Sequence, residues 1–243
     1  LYWARYNTAN SQASIQRMPA DGSVAPQTLT SATGEVEMLQ WKRYTDSNSG
    51  QTDALLWITT EGRLYRYKLN QAGAPVQLAT NIADFAIHDV YPFIGAPVTS
   101  IYAAQSDRNV VPTSLPGKLL RILLETGATT TVYVAPGKNQ IGSVATDSAQ
   151  FMFQIGNAPV KNVYLTEQGI SCGELFCNPT VTSIKRHALP AANDASWALM
   201  PALNVGGNLQ SDDQWLYYTT DNRLEIDRVK TDAPAVEFDL QAD

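Results

Sequence analysis

Charge is scarce in this chain. Asp, Glu, Lys and Arg make up 16% of its 243 residues, where an ordinary globular domain carries about a quarter. The basic residues form no run, and the formal net charge is −6. A phosphate backbone demands clustered positive charge, so a nucleic-acid partner is not expected. Histidine is confined to His88 and His187. His88 sits in Ala86-Ile87-His88-Asp89, and His187 follows Arg186, so those two point to opposite faces of a strand. No Gly-x-Ser-x-Gly elbow frames a serine. No catalytic residue and no cofactor is expected on these grounds. Asp46-Ser47-Asn48 and Asp212-Asp213 offer hard oxygen ligands but lack the D-x-[DN]-x-[DN]-G spacing of a calcium loop, so they read as polar turns and no metal is expected. No stretch approaches the ~18 continuous apolar residues of a membrane-spanning helix. Residues 1–20 have no positive start followed by an apolar run, so they do not read as a signal peptide.

Cysteine is nearly absent too. Cys172 and Cys177, in SCGELFC, are the two. They are too few for a four-ligand zinc site and have no nearby His. A disulfide closing a small hairpin loop fits an oxidising compartment; two reduced thiols in a cytosolic loop are the alternative. No Asn-X-Ser/Thr acceptor occurs, because Asn178 is followed by Pro179. With the neutral-polar composition, this leans towards an exported protein: periplasmic, cell-surface or secreted. The chain has no initiating Met and begins inside a strand signal, so it reads as a portion of a longer protein.

What is present is a repeat. An aliphatic residue, any residue, then Arg recurs as Ile15-Gln16-Arg17, Leu64-Tyr65-Arg66, Leu119-Leu120-Arg121, Ile184-Lys185-Arg186 and Ile226-Asp227-Arg228. The arginines are 49, 55, 65 and 42 residues apart. Strand residues two apart share a face, so each copy sets an aliphatic group beside an Arg. An apolar-aromatic strand precedes each copy: Leu1 to Trp3, Leu55 to Ile58, Ile101-Tyr102, Val163 to Leu165, and Trp215 to Tyr218. The links Thr59-Thr60-Glu61-Gly62 and Thr219-Thr220-Asp221-Asn222 read as tight hairpin turns. A third strand follows each copy, the last at Ala235 to Leu240. A fourth precedes copies two to five: Val36 to Tyr44, Phe85 to Tyr91, one near Ile141 to Phe153, and Leu203 to Leu209.

Four short antiparallel strands per ~50 residues, with no long 3.6-period stretch, describe propeller blades. The expected fold is all-β: a β-propeller of about five four-stranded blades, in units of roughly 1–33, 34–80, 81–137, 138–200 and 201–243 within one domain. Labelled A to D from the axis outwards, the strands run BCD and then ABCD four times. The first blade lacks its inner strand. Either an irregular segment supplies it, or a larger ring continues beyond one end. Leu1 to Gly22 resembles the YWTD-type and TolB-like propeller repeats, in which an LYW-like strand is followed by an I-x-R strand and a DG turn. Leu55 to Gly73 and Trp215 to Asp232 match less closely. The resemblance implies a fold and carries over no ligand site.

The repeated arginines read as structural, their stems packing and their forks pairing between strands. A binding surface is expected instead at two long B–C connections on one face. Residues 105–117 contribute Asp107, Arg108, Val110, Val111 and Leu115; residues 168–181 contribute Glu174, Leu175 and Phe176. Large apolar side chains in loops are costly to leave in water unless covered or used. The sequence thus points to a non-enzymatic scaffold binding a protein partner. A carbohydrate-binding or glycan-processing propeller is the alternative, motivated by five Trp and eleven Tyr that could stack on sugars, although most lie in strand signals where core packing claims them.

Overall fold

A computed structural model describes residues 1–69, 71, 73–92, 95–106, 115–148, 150–151, 161–172, 177–189, 197–202, 205–220 and 225–232. Among them there is no helix. Nineteen strands form five sheets. Sheet 1 is β1 (Tyr2–Asn7), β2 (Gln12–Arg17) and β3 (Gln27–Thr33). Sheet 2 is β4 (Val36–Asp46), β5 (Gly50–Thr59), β6 (Leu64–Lys68) and β7 (Val76–Ala79). Sheet 3 is β8 (Ile82–Tyr91), β9 (Val98–Gln105), β10 (Lys118–Leu123) and β11 (Thr129–Val134). Sheet 4 is β12 (Gln140–Thr146), β14 (Asn162–Cys172), β15 (Cys177–Ala188) and β16 (Ala198–Leu199). Sheet 5 is β17 (Val205–Ser211), β18 (Trp215–Thr220) and β19 (Ile226–Lys230). Each is an antiparallel meander in chain order. The segment expected as one strand near 141–153 is split: β12 opens sheet 4, while β13 (Gln150–Phe151) pairs parallel with β8 at the edge of sheet 3. The strand expected at 235–240 lies outside the described residues.

The chain divides into two compact units, residues 1–82 and 83–243. In the first, sheets 1 and 2 pack face to face. Ala13, Ile15 and Ala32 meet Leu55 and Trp57. Alternation explains the choice, since residues two apart on β2 and β5 point the same way. Trp57 is fully buried and stacks on Tyr65, ring centroids 5.6 Å apart. In the second unit, sheet 4 is covered on both faces. Val163 and Leu165 pack with Tyr102, Leu119 and Val132 of sheet 3. Tyr164, between them in sequence, packs with Leu216, Tyr218 and Val229 of sheet 5.

The turns that lead into β2, β6 and β10 are tied to the connection that leaves the same sheet. Gly34 N–H donates to the Ser11 carbonyl (3.0 Å), Ile82 N–H to that of Gly62 (2.8 Å), and Gly117 N–H to that of Asn139 (2.8 Å). Glycine is required at two of these points. A Cβ on Gly117 would stand 2.6 Å from Ile141 N, and Gly62 has φ +73° with Ile82 N 3.1 Å from where its Cβ would be.

The five repeated arginines lie on β2, β6, β10, β15 and β19, directly opposite Tyr2, Leu56, Tyr102, Tyr164 and Tyr217 of the aromatic strands. In sheets 3 and 4 the aliphatic partners Leu119 and Ile184 face the following sheet. Ile226 and Arg228 occupy the face of sheet 5 turned away from sheet 4, because Leu216, Tyr218 and Val229 fill the other face. Burial therefore differs between copies: Ile15, Leu64, Leu119 and Ile184 are fully buried, whereas Ile226 is 74% exposed. The arginines, expected to be at least partly buried in every copy, are so at Arg66, Arg121 and Arg186, whereas Arg17 and Arg228 are exposed.

The long connection expected at 168–181 is mostly strand. β14 and β15 stay paired from Gln168↔Thr182 to Cys172↔Cys177, with a bulge between Gln168 and Ile170. Glu174, Leu175 and Phe176 lie outside the described residues. So do Asp107, Arg108, Val110 and Val111. The neighbours of that second group are anchored: Ser106 Oγ donates to Gln140 Oε1 (3.0 Å), and Gln140 Nε2 donates to the Leu115 carbonyl (3.0 Å). The Leu115 side chain is 65% exposed.

Candidate functional site

A concavity lies between sheets 4 and 5, on the edge opposite the second-to-third-strand turns. It is a cleft of about 830 Å³, within the range of ligand sites. The ends of β15 and β19 supply Arg186, His187, Lys230, Thr231 and Asp232, the start of β14 supplies Asn162, and the β17–β18 turn supplies Asp213, Gln214 and Trp215.

The turn is built by Asp212. Its carboxylate accepts N–H bonds from Gln214 (3.0 Å) and Trp215 (2.7 Å) and the Tyr217 hydroxyl proton (3.0 Å). The Trp215 N–H first, then the other donors, hold this carboxyl below its usual range despite some burial. Next to it Asp213 takes a left-handed φ of +74°, which Asp tolerates better than most residues. Burial alone would raise the Asp213 carboxyl, but bonds from Lys161 and Ser148 outweigh it and lower it. Lys161 Nζ stands 2.9 Å away. Trp215 is half-buried and carries two cations: the Arg228 guanidinium lies 4.3 Å and Lys230 Nζ 5.8 Å from its ring centroid. Arg186 Nη1 donates to the Thr231 carbonyl, and Thr231 Oγ1 donates to that of Asp213 (2.8 Å). These bonds fix the wall between the sheets. His187 packs its ring 5.0 Å from that of Trp197, with Nδ1 2.5 Å from the Ala188 carbonyl oxygen.

Behind the cleft sits Asp147, 3% exposed. It accepts from Asn162 N (2.8 Å), Tyr164 Oη (3.0 Å) and Ser211 Oγ (2.6 Å). Both sheets are thereby joined at one carboxylate. A second polar knot ties sheets 3 and 4. Glu167, 5% exposed, accepts from Asn139 Nδ2 (2.8 Å) and from the Tyr133 hydroxyl, and pairs with Lys185 Nζ at 2.9 Å. Burial, reinforced by the adjacent carboxylates, pushes both the Tyr133 and the Tyr164 hydroxyl upward.

The remaining sequence candidates have plain roles. The Asp46 carboxylate accepts from Asn48 N (2.9 Å) and Ser49 N (3.3 Å) and pairs with Lys68. The Lys68 bond, then the turn amides, hold it down to about 2. It is a polar turn. Among the described residues no group of three or more His, Cys, Asp or Glu is placed to hold a metal ion. The repeated arginines do not converge on one ligand: Arg17 reaches Gln27 Oε1 (3.4 Å), Arg121 reaches Ser100 Oγ (3.1 Å), Arg186 serves the cleft wall, and Arg228 lies over the Trp215 ring.

His88 is 1% exposed, with Nδ1 3.2 Å from the Asp147 carbonyl oxygen. Its Nε2 is buried with no hydrogen-bond partner among the described residues. Burial lowers its pKa from 6.5. The unfolded chain thus binds a proton that the folded chain resists. The penalty is absent above about pH 6.5 and grows as the pH falls below it. Melting curves from about pH 7 to pH 5 should show His88→Leu losing less Tm on acidification than the parent. Parallel losses would remove His88 from the acid response.

No family model and no curated protein sequence matches the chain. Sequence reading noted Arg186, His187, Asp212-Asp213 and the Trp215 strand separately and did not bring them together. The available signal was positional: all lie where a blade's first-to-second-strand or third-to-fourth-strand connections begin. Asp147, Glu167 and Lys185 carried no signal of their own.

Proposed function

We propose that the chain is a propeller-type interaction scaffold of an exported or cell-surface protein, and that the cleft between sheets 4 and 5 receives its partner. Serial antiparallel meanders of three or four strands, packed face to face within each unit, support the propeller reading and the YWTD or TolB-like resemblance. The observation that carries the binding reading is the cleft itself, with a half-buried Trp, Arg186, Lys230 and Gln214 in its wall. Trp and Arg are the residues most enriched at binding hot spots. The polar knots nearby are internally bonded and serve packing rather than acid–base work. A photo-crosslinking residue at Gln214 should yield protease-sensitive adducts in an extract from the native compartment, and one at Leu115 should not. The reverse pattern would return the binding surface to the connections at 105–117 and 168–181.

The carbohydrate reading has one observation in its favour: Trp215 is partly exposed beside Asp213 and Asp232 in the same cleft. Glycan-array binding abolished by Trp215→Ala would establish it in place of the protein partner.

Export predicts a disulfide between Cys172 and Cys177. They are register partners across the β14–β15 hairpin. Directly opposed antiparallel residues have Cα atoms roughly 4.5–5.5 Å apart, within the span that a disulfide bridges. Alkylation without reductant followed by intact-mass measurement should find no modified thiol. Two alkylated cysteines would remove this support for an oxidising compartment.

A further inference from the structure

We propose that the cleft between sheets 4 and 5 binds an acidic, extended peptide segment, with a carboxylate of that segment held by Arg186 and Lys230. The proposal rests on the scaffold reading and names the chemistry of the partner. The charges of the wall decide its sign. Asp213 is engaged by Lys161 at 2.9 Å. That leaves Arg186 and Lys230 against Asp232 in the lining of the cleft. Arg186 spends one N–H on the Thr231 carbonyl, and a guanidinium has five in a fork that matches a carboxylate. Lys230 is exposed at the end of β19 and adds a second, adjustable donor.

A small free anion would satisfy the cations and leave Gln214 and the rest of the cleft wall uncovered. An extended chain rises about 3.3 Å per residue and alternates its side chains. It can set one carboxylate on Arg186 and Lys230, lay an alkyl stem on Trp215, and offer backbone groups to Gln214. The chain's net charge of −6 opposes an acidic partner at long range, so recognition is a short-range matter of the cleft and not of steering.

Titration calorimetry with a short blocked oligoglutamate peptide and its oligoglutamine counterpart tests this. The acidic peptide should bind, and the neutral one should bind roughly tenfold more weakly or not at all, as expected for loss of charge-assisted bonds. Arg186→Gln and Lys230→Gln should each weaken the acidic peptide by roughly tenfold. Arg186 is half-buried and joins the sheets, so its variant must first show a native melting curve. Lys230→Gln lies on the surface and keeps the test decisive if Arg186→Gln does not fold. Equal binding of both peptides, or no binding of either, would overturn the proposal. So would an anionic oligosaccharide that binds where oligoglutamate does not. Protease-sensitive adducts at Gln214 without oligoglutamate binding would leave the scaffold reading standing and remove this one. Adducts of glycan alone would remove both.

Discussion

Asp147→Ala is expected to cost about 3–5 kcal/mol of stability, read as a lower denaturant midpoint at an unchanged slope. Asp147 is 3% exposed and accepts from a backbone N–H, an amide, a phenol and a serine hydroxyl. Those donors come from both sheets 4 and 5. Alanine removes their common acceptor, and the buried Tyr164 hydroxyl in particular loses desolvation compensation. Asp147→Asn keeps one acceptor oxygen and turns the other position into a donor, which faces donors. It should fall between the parent and the alanine variant. Ser211→Ala removes a single partner and should cost about 1 kcal/mol. If Asp147→Ala cost no more than Ser211→Ala, the joint between these sheets would be apolar packing alone. The Tyr164, Leu216 and Val229 cluster would then carry it.

The order of strands was legible because each sheet is a local meander. Leu55 to Ile58 and Leu64 to Arg66 are joined by Glu61-Gly62, and the turn residue, the alternation and the aromatic content agree on one answer there. Gly62 carries the positive φ that such a turn needs. The long hairpin of β14 and β15 was read as a loop because SCGELFC and NPT carry turn-like residues. Pairing between the strands nevertheless runs on to Cys172↔Cys177, beyond what local composition signals. The fifth Ile-x-Arg copy looked equivalent to the others in sequence, yet burial depends on a neighbouring sheet, and Ile226 faces away from sheet 4. Asp147 and Glu167 were silent for a related reason. A carboxylate that satisfies donors from strands 15 to 64 residues away leaves no spacing in the sequence. The cleft was missed likewise, since its wall is made of strand ends from two sheets.

The pair Glu167 and Lys185 should separate the cost of breaking a buried ion pair from the cost of lacking one. Glu167→Ala is expected to destabilise the protein by about 3–5 kcal/mol. The Lys185 ammonium would be left with the Tyr133 hydroxyl at 2.7 Å and the Tyr133 ring at 5.3 Å as its remaining partners. Asn139 Nδ2 and the Tyr133 hydroxyl would each lose an acceptor. The side chains of Glu167 and Lys185 are 6% and 22% exposed, so little water reaches them to compensate. Replacing both, as Glu167→Leu with Lys185→Met, removes the uncompensated charge and fills the volume with groups suited to the adjoining cluster of Val132, Leu165 and Leu189. The double variant should therefore be more stable than Glu167→Ala by at least about 2 kcal/mol, with Tyr133 and Asn139 accounting for what is still lost. Denaturant unfolding of the parent, Glu167→Leu, Lys185→Met and the double variant closes the thermodynamic cycle, and contacting residues should couple by about 0.5–3 kcal/mol. Additive effects would mean that Glu167 is held by Tyr133 and Asn139, with Lys185 screened by solvent. A double variant as unstable as Glu167→Ala would mean that the neutral bonds at Tyr133, and not the charges, join sheets 3 and 4.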